Sequence, residues 1–178
     1  MKWAVAVSGG IGAGKTEVSR RIADRTGCPR VSFGDFVRAE ASKRGADESR
    51  AALQALGEQL IADLGMERFC NAVLHSATWD REGIVIDGLR HLQAVEATRR
   101  ALAPCPLILV FLDADADTRW RRAHDRARPG DAAAEEHSTE VEVPALSTVA
   151  DLSLDARIPI DELVSAIVAD LKDRVVTN

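Results

Sequence analysis

An α/β fold built on a parallel sheet is predicted by three observations in this chain of 178 residues. The apolar run at 3–7 leads straight into Gly9-Gly10-Ile11-Gly12-Ala13-Gly14-Lys15-Thr16, and helix-forming sequence follows, so a strand, a glycine-rich loop and a helix succeed one another. Two later runs, GIVID at 83–87 and PLILVFL at 106–112, are apolar throughout instead of alternating, as strands covered on both faces are. Helical stretches separate these strands, and strands that alternate with helices close into right-handed crossovers. The length suits one such domain over 1–178 and is too short for two of full size.

Taken in order, residues 3–8 form the first strand and 14–26 the first helix, ending near Gly27. A short second strand at 30–33 follows Pro29, breaks at Gly34-Asp35 and gives way to a helix over 36–43 that Gly45 closes. Residues 48–78 are helical, with Leu53, Leu56, Leu60, Ile61 and Leu64 on one side and Gly65 as the break, so an insertion two helices long precedes the third strand at 83–87. A helix at 91–101, a fourth strand at 106–112 and an arginine-rich helix at 115–126 come next. Pro129-Gly130-Asp131 then opens a polar, acidic, alanine-rich stretch to 143 whose composition fits a lid better than sheet core. A fifth strand at 151–155 and an amphipathic helix at 160–175 complete the chain.

Bulk properties exclude several roles. The net charge of −5 and the absence of a long Lys/Arg run argue against nucleic acid or an anionic membrane as the main partner. Cys28, Cys70 and Cys105 are widely spaced and suggest reduced thiols, not a disulfide framework or zinc site. No apolar stretch approaches the roughly 20 residues of a membrane helix, and a soluble, cytoplasmic protein is expected.

The loop at 9–16 is a complete phosphate-binding motif. Its glycines allow a backbone nest whose N–H groups face the phosphates, Lys15 reaches the outer phosphates, and the Thr16 hydroxyl is placed for Mg²⁺. The helix it opens turns its positive dipole end toward the same anion. In VIDGLR, Asp87 stands at the carboxyl end of a buried strand, where open α/β sheets bind ligands. It either holds a water of the Mg²⁺ shell opposite Thr16 or caps the helix near His91, while Arg90 points at a second anion. In VSFGDFVR, Gly34 permits a close turn, Asp35 caps the following helix and Arg38 lies one turn on; arginine suits a bidentate phosphate grip, although a solvated helix position is the ordinary alternative. Arg119, Arg122 and Arg126 share one helix face, either as a solvated face paired with Asp115, Asp117 and Asp125 or as cations for a transferring phosphoryl group, and Arg128 is placed to swing with a lid. His75, His91, His124 and His137 show no metal spacing and read as surface or capping residues.

With these motifs the chain resembles the nucleoside-monophosphate kinase group of P-loop proteins, and most closely an adenylate-kinase-like family related to dephospho-coenzyme A kinase. The motifs are SGGIGAGKTEV, VSFGDFVR, Arg44-Gly45, VIDGLR, the segment ending RARPGD, and VADLSLDARIPIDELV. The resemblance implies a three-layer P-loop kinase fold with a five-stranded parallel sheet of order 2-3-1-4-5, a helical acceptor-binding insertion over 35–79, a lid-like segment at 127–143, and ATP with Mg²⁺ as donor. It departs from adenylate kinases at Phe33, where they usually carry Thr, and in DGLR, which lacks the Pro of their DGFPR segment. It departs from dephospho-coenzyme A kinase in DGLRHL.

Residues and resemblance together nominate Lys15, Asp35, Arg38, Asp87, Arg90, Arg119 and Arg122 for phosphoryl transfer. They nominate Gly10, Gly12, Ala13, Gly14, Lys15, Thr16, Arg119 and Arg128 for ATP, and Thr16 and Asp87 for Mg²⁺. Transfer to a phosphate needs arginines to neutralise an acceptor already anionic, whereas transfer to a hydroxyl gains from a carboxylate base such as Asp35. Arg38 and Arg90 favour the phosphate, hence a nucleoside monophosphate or related nucleotide as substrate. A small-alcohol kinase and a nucleotide-binding regulatory ATPase are the alternatives, and the chain is expected to work as a monomer or dimer.

Overall fold

A computed structural model describes residues 2–78, 82–124 and 143–177. Strand β1 (Trp3–Ser8) is the middle of a five-stranded sheet with β2 (Arg30–Ser32), β3 (Gly83–Asp87), β4 (Leu107–Asp113) and β5 (Leu152–Asp155). All neighbours are parallel in the order β2-β3-β1-β4-β5, as expected. Parallel strands put every carboxyl end on one edge of the sheet, and each loop that leaves that edge carries one of the candidate motifs.

The apolar runs fill two cores because successive side chains of a strand point to opposite faces. Trp3, Val5 and Val7 of β1 join Val85, Ile108, Val110 and Leu112 beneath α1 (Lys15–Thr26) and the closing helix at Ile160–Thr177, which contributes Leu163, Val164, Ile167 and Leu171. Ala4 and Ala6 join Ile84, Ile86, Leu109 and Phe111 on the other face, covered by α2 (Phe33–Lys43), α3 (Arg50–Leu64), α4 (Met66–Leu74) and α5 (Leu92–Leu102). The insertion between β2 and β3 is therefore no loose appendage. Phe69 of α4 packs at 5.7 Å from the ring of Phe33 and 5.9 Å from that of Phe36, which ties α4 to the first turn of α2.

The expected break at Gly34-Asp35 is absent. Helix α2 begins at Phe33 and runs through both residues, because Ser32 is its N-cap and accepts the Asp35 backbone N–H at 3.2 Å. Asp35 therefore lies inside the first turn and does not cap it. Asp87 caps nothing either: α5 starts at Leu92 with His91 in the cap position and no side-chain cap. Helix α6 (Ala116–His124) follows β4, with Asp115 accepting the Thr118 backbone N–H at 2.7 Å, so Asp115 is a cap and not the arginine partner that charge spacing suggested. The lid-like segment at 127–143 falls outside the described residues apart from Val143, and Asp125, Arg126, Arg128 and His137 fall outside with it. Among the described residues no helix is long and apolar enough to cross a membrane.

Candidate phosphotransfer site

The phosphate loop leaves β1 at Ser8, a fully buried residue whose hydroxyl donates to the Leu89 carbonyl at 2.8 Å and so links the loop to the turn after β3. Ala13 N–H donates to Gly10 O at 3.1 Å, closing a tight turn. Lys15 folds back over that turn, donating from Nζ to the same Gly10 carbonyl at 2.7 Å. Gly14 is the N-cap of α1 at φ +91° with no side-chain cap, so the first turn of the helix faces the loop with its backbone donors. A Cβ on Gly14 would meet nothing within 4 Å, whereas one on Gly10 would lie 2.8 Å from Arg119 Nη1 and one on Gly12 would overlap the Arg119 carbonyl. The loop is thus open on the Gly14 side and floored on the other by α6.

This architecture fits ATP. Backbone donors, an uncapped helix start and a lysine converge on one concavity, and Gly14 leaves the room a phosphate needs. The Thr16 hydroxyl and the Asp87 carboxylate are hard oxygen donors of the kind Mg²⁺ takes while keeping most of its water shell. Among the described residues no cluster of three or more His, Cys, Asp or Glu could hold a metal ion.

Asp87 is buried at 3 % exposure, paired in register with Val7 on one side and Ser32 on the other. Its carboxylate accepts from Arg30 Nη2 at 2.5 Å. Arg30, the first residue of β2, also donates from Nη1 to Asp35 Oδ2 at 3.1 Å and from Nε to the Ser19 hydroxyl at 3.0 Å. Asp35 in turn accepts from Arg38 Nη1 at 3.0 Å through its other oxygen. Arg38, Asp35, Arg30 and Asp87 form a continuous row of alternating charge along the carboxyl edge. Burial works against the charge of Arg30, but the carboxylate of Asp87, and then that of Asp35, outweigh it and hold the guanidinium pKa above its usual value. Breaking one partner out of such a buried pair costs about 3–5 kcal/mol.

The described nominated residues fall into two groups, with Arg90 and Arg122 placed separately. Lys15, Thr16 and the loop glycines stand with Arg119; Asp35, Arg38 and Asp87 stand together through Arg30. Arg90 is half-buried just beyond Leu89, on the turn that Ser8 holds. Arg122 lies apart, toward the end of β5. Its charge adds a small part to the lowering of the Asp155 pKa to about 2, most of which comes from Arg157 hydrogen bonds at 2.7–3.0 Å. There Asp113, Asp115, Ser153, Asp155 and Arg157 line a cavity of about 320 Å³ between the ends of β4 and β5. Phe33, where the sequence departs from adenylate kinases, is 8 % exposed and turned into the core against Phe69.

Sequence reading missed Arg30 and Ser19. Arg30 looks like an ordinary strand-edge arginine until β2 is laid beside β3, and the only available signal was its place at the start of the strand before GDFVR. Ser19, three residues after Thr16, is fully buried and donates to the Thr16 carbonyl at 3.0 Å.

Comparisons with known proteins place the chain. The family described as AAA domain matches residues 8–139. The UPF0200 protein of Pyrobaculum aerophilum is 34% identical over 130 residues, 71% of this chain and 68% of that protein. The UPF0200 protein of Thermococcus kodakarensis is 31% identical over 135 residues, 71% and 70% of the two chains. This chain belongs to the UPF0200 family. Among solved structures it is similar to a gluconokinase from Sinorhizobium meliloti, with a TM-score of 0.56 at 21% identity over 98% of this chain and 94% of that one. It is also similar to the shikimate kinase of Aquifex aeolicus, with a TM-score of 0.58 at 16% identity over 95% and 96%. At these identities the likeness establishes the fold, which is that of P-loop kinases, in keeping with the superfamily resemblance of the motifs. The UPF0200 chain accordingly has the fold of P-loop kinases.

Proposed function

We propose that this UPF0200 protein is an ATP-dependent phosphotransferase whose acceptor is a nucleoside monophosphate or a closely related nucleotide. The observation that carries the reading is the engagement of both Asp35 oxygens by guanidiniums, Arg30 on one and Arg38 on the other. A carboxylate so occupied is not directed at an acceptor hydroxyl. The acceptor side is built from arginines, which is what an anionic acceptor requires.

In this reading Gly10, Gly12, Ala13 and Gly14 present backbone donors to the triphosphate, Lys15 exchanges the Gly10 carbonyl for the outer phosphates, and Thr16 with Asp87 holds Mg²⁺. Mg²⁺ held there would supply positive charge against the β- and γ-phosphates. Arg38 and Arg90 grip the acceptor phosphate, and Arg119, packed on Gly10, serves the donor from the α6 side of the loop. The helical insertion carries the acceptor side.

The test is phosphate transfer from MgATP to a panel of ribo- and deoxynucleoside monophosphates and dephospho-coenzyme A, with Lys15→Ala as the control. Lysine-dependent transfer to a monophosphate is expected, and its absence across the panel overturns the reading. One observation favours an alcohol acceptor: Asp35 keeps 59% of its side chain exposed, so it is reachable by a hydroxyl if its arginines turn away. That reading requires Asp35→Asn to cost far more turnover than Arg38→Ala; the phosphate reading requires the reverse order.

A further inference from the structure

Arg30 is not among the nominated residues, yet its guanidinium bonds to Asp87, Asp35 and Ser19 at the edge where donor and acceptor would meet. Nη2 holds Asp87, and Nη1 holds Asp35, which itself holds Arg38. Nε donates to the Ser19 hydroxyl, whose own proton goes to the Thr16 carbonyl. Arg30 is thus one bond from Asp87 and one buried serine away from Thr16, the two residues that fit Mg²⁺. Its side chain is only 17% exposed, a costly place for a cation unless its bonds are used. A planar fork with donors fixed at known angles can set the orientation of two carboxylates and a hydroxyl at once; a lysine carries the charge without that geometry.

We propose that Arg30 is a positioning residue of the transfer site: its guanidinium fixes Asp87 and, through Ser19, the start of α1, so that the carboxylate and the Thr16 turn are preset for the cation. The proposal rests on the reading of Thr16 and Asp87 as the Mg²⁺ side of a donor site. Groups that orient metal-binding residues without touching the metal change affinity by about 10- to 100-fold when removed. Arg30 therefore acts on the part of ATP affinity that depends on Mg²⁺ and leaves the part due to the phosphate loop alone.

The experiment is calorimetric titration of the full chain with ATP, in excess Mg²⁺ and again in EDTA, for the native protein, Arg30→Met, Arg30→Lys, Asp87→Asn and Arg30→Met/Asp87→Asn. Thermal melting follows each variant. Arg20→Met serves as a control, since Arg20 pairs with Glu17 on the exposed side of α1. Expected is a tenfold or greater loss of the Mg²⁺-dependent gain in both Arg30 variants, less than twofold change in EDTA, and no further loss when Arg30→Met is added to Asp87→Asn. Should Arg30→Met leave Asp87 uncompensated and the chain unfolded, Arg30→Lys and the double variant keep the charge balance and decide the matter. An undiminished gain in Arg30→Lys, or an equal loss with and without Mg²⁺, overturns the proposal alone. A native chain that binds ATP equally in Mg²⁺ and EDTA overturns the donor-site reading and the proposal with it.

Discussion

Gly12 and Gly14 have the same unusual backbone and opposite surroundings, and replacing each by alanine separates the structural from the ligand-facing half of the phosphate loop. Both sit in the left-handed region, at φ +82° and +91°. An L-residue there costs about 1–2 kcal/mol, of which about 0.4–1 is returned because alanine narrows the unfolded ensemble. For Gly14 that is the whole account, because an added methyl meets nothing within 4 Å, so Gly14→Ala should lose about 1 kcal/mol or less. For Gly12 the methyl overlaps the main-chain carbonyl of Arg119, which cannot swing aside as a side-chain tip could, so α6 must shift. Overpacking of this kind adds about 1–3 kcal/mol. The two variants should differ by about 2 kcal/mol in urea unfolding, or about 4–8 °C in melting temperature for a chain of this size. Nucleotide binding should rank them the other way. Gly14→Ala puts its methyl into the open side of the loop and should weaken ATP at least about tenfold per 1.4 kcal/mol of lost phosphate contact. Equal stability of the two variants, or a Gly12→Ala more stable than Gly14→Ala, would refute the claim that α6 floors the loop.

Two other outcomes follow from the packing and the charge pairs. Phe69 is 4 % exposed and is the ring against which Phe33 and Phe36 both rest, so Phe69→Ala should lose about 3–5 kcal/mol by urea denaturation; a loss under about 1 kcal/mol would show that α4 does not anchor α2. Asp155 has its folded pKa lowered from 3.8 to about 2, chiefly by Arg157, so its contribution is present above the unfolded value and disappears as pH falls from about 4 to 2. Asp155→Asn should flatten the acid limb of the melting-temperature profile in that window and leave the profile near neutrality unchanged in shape; an identical acid limb in both proteins would show the pair to be unimportant in solution.

What could be read from the sequence was what a local pattern determines. Five strands, the break at Gly65 and the loop at 9–16 are each specified by a run of neighbouring residues, and each lies where that run put it. The start of α2 was misread for the same reason: Gly34-Asp35 looks like a turn locally, yet Ser32 supplies a better cap three residues before Asp35, and Phe33 gains a buried place against Phe69 by being helical. Two competing local signals were settled by a contact 36 residues away in the chain. The arginines show the limit more sharply. Arg119, Arg122 and Arg126 share a face by spacing, but spacing does not say what the face meets; the structure sends Arg119 to Gly10 and leaves Arg122 toward Asp155.

Arg30 is the extreme case. No motif of its own announces a role for it, because its partners come from α1, α2 and β3, and only the parallel pairing of β2 with β3 sets Arg30 across from Val85, two positions before Asp87. The phosphate loop needs its own eight residues to bind an anion, and so it is visible in one line of sequence. Holding a buried carboxylate in place needs a cation from another strand, and the chain can supply it from any residue that the sheet order brings to that edge. Residues whose partners lie in their own segment are therefore announced by motif, while those whose partners come from other elements are found only after the strands are placed. Arg30 tests that division directly, for a serine hydroxyl and two carboxylates converge on it and none of the three lies in its own strand.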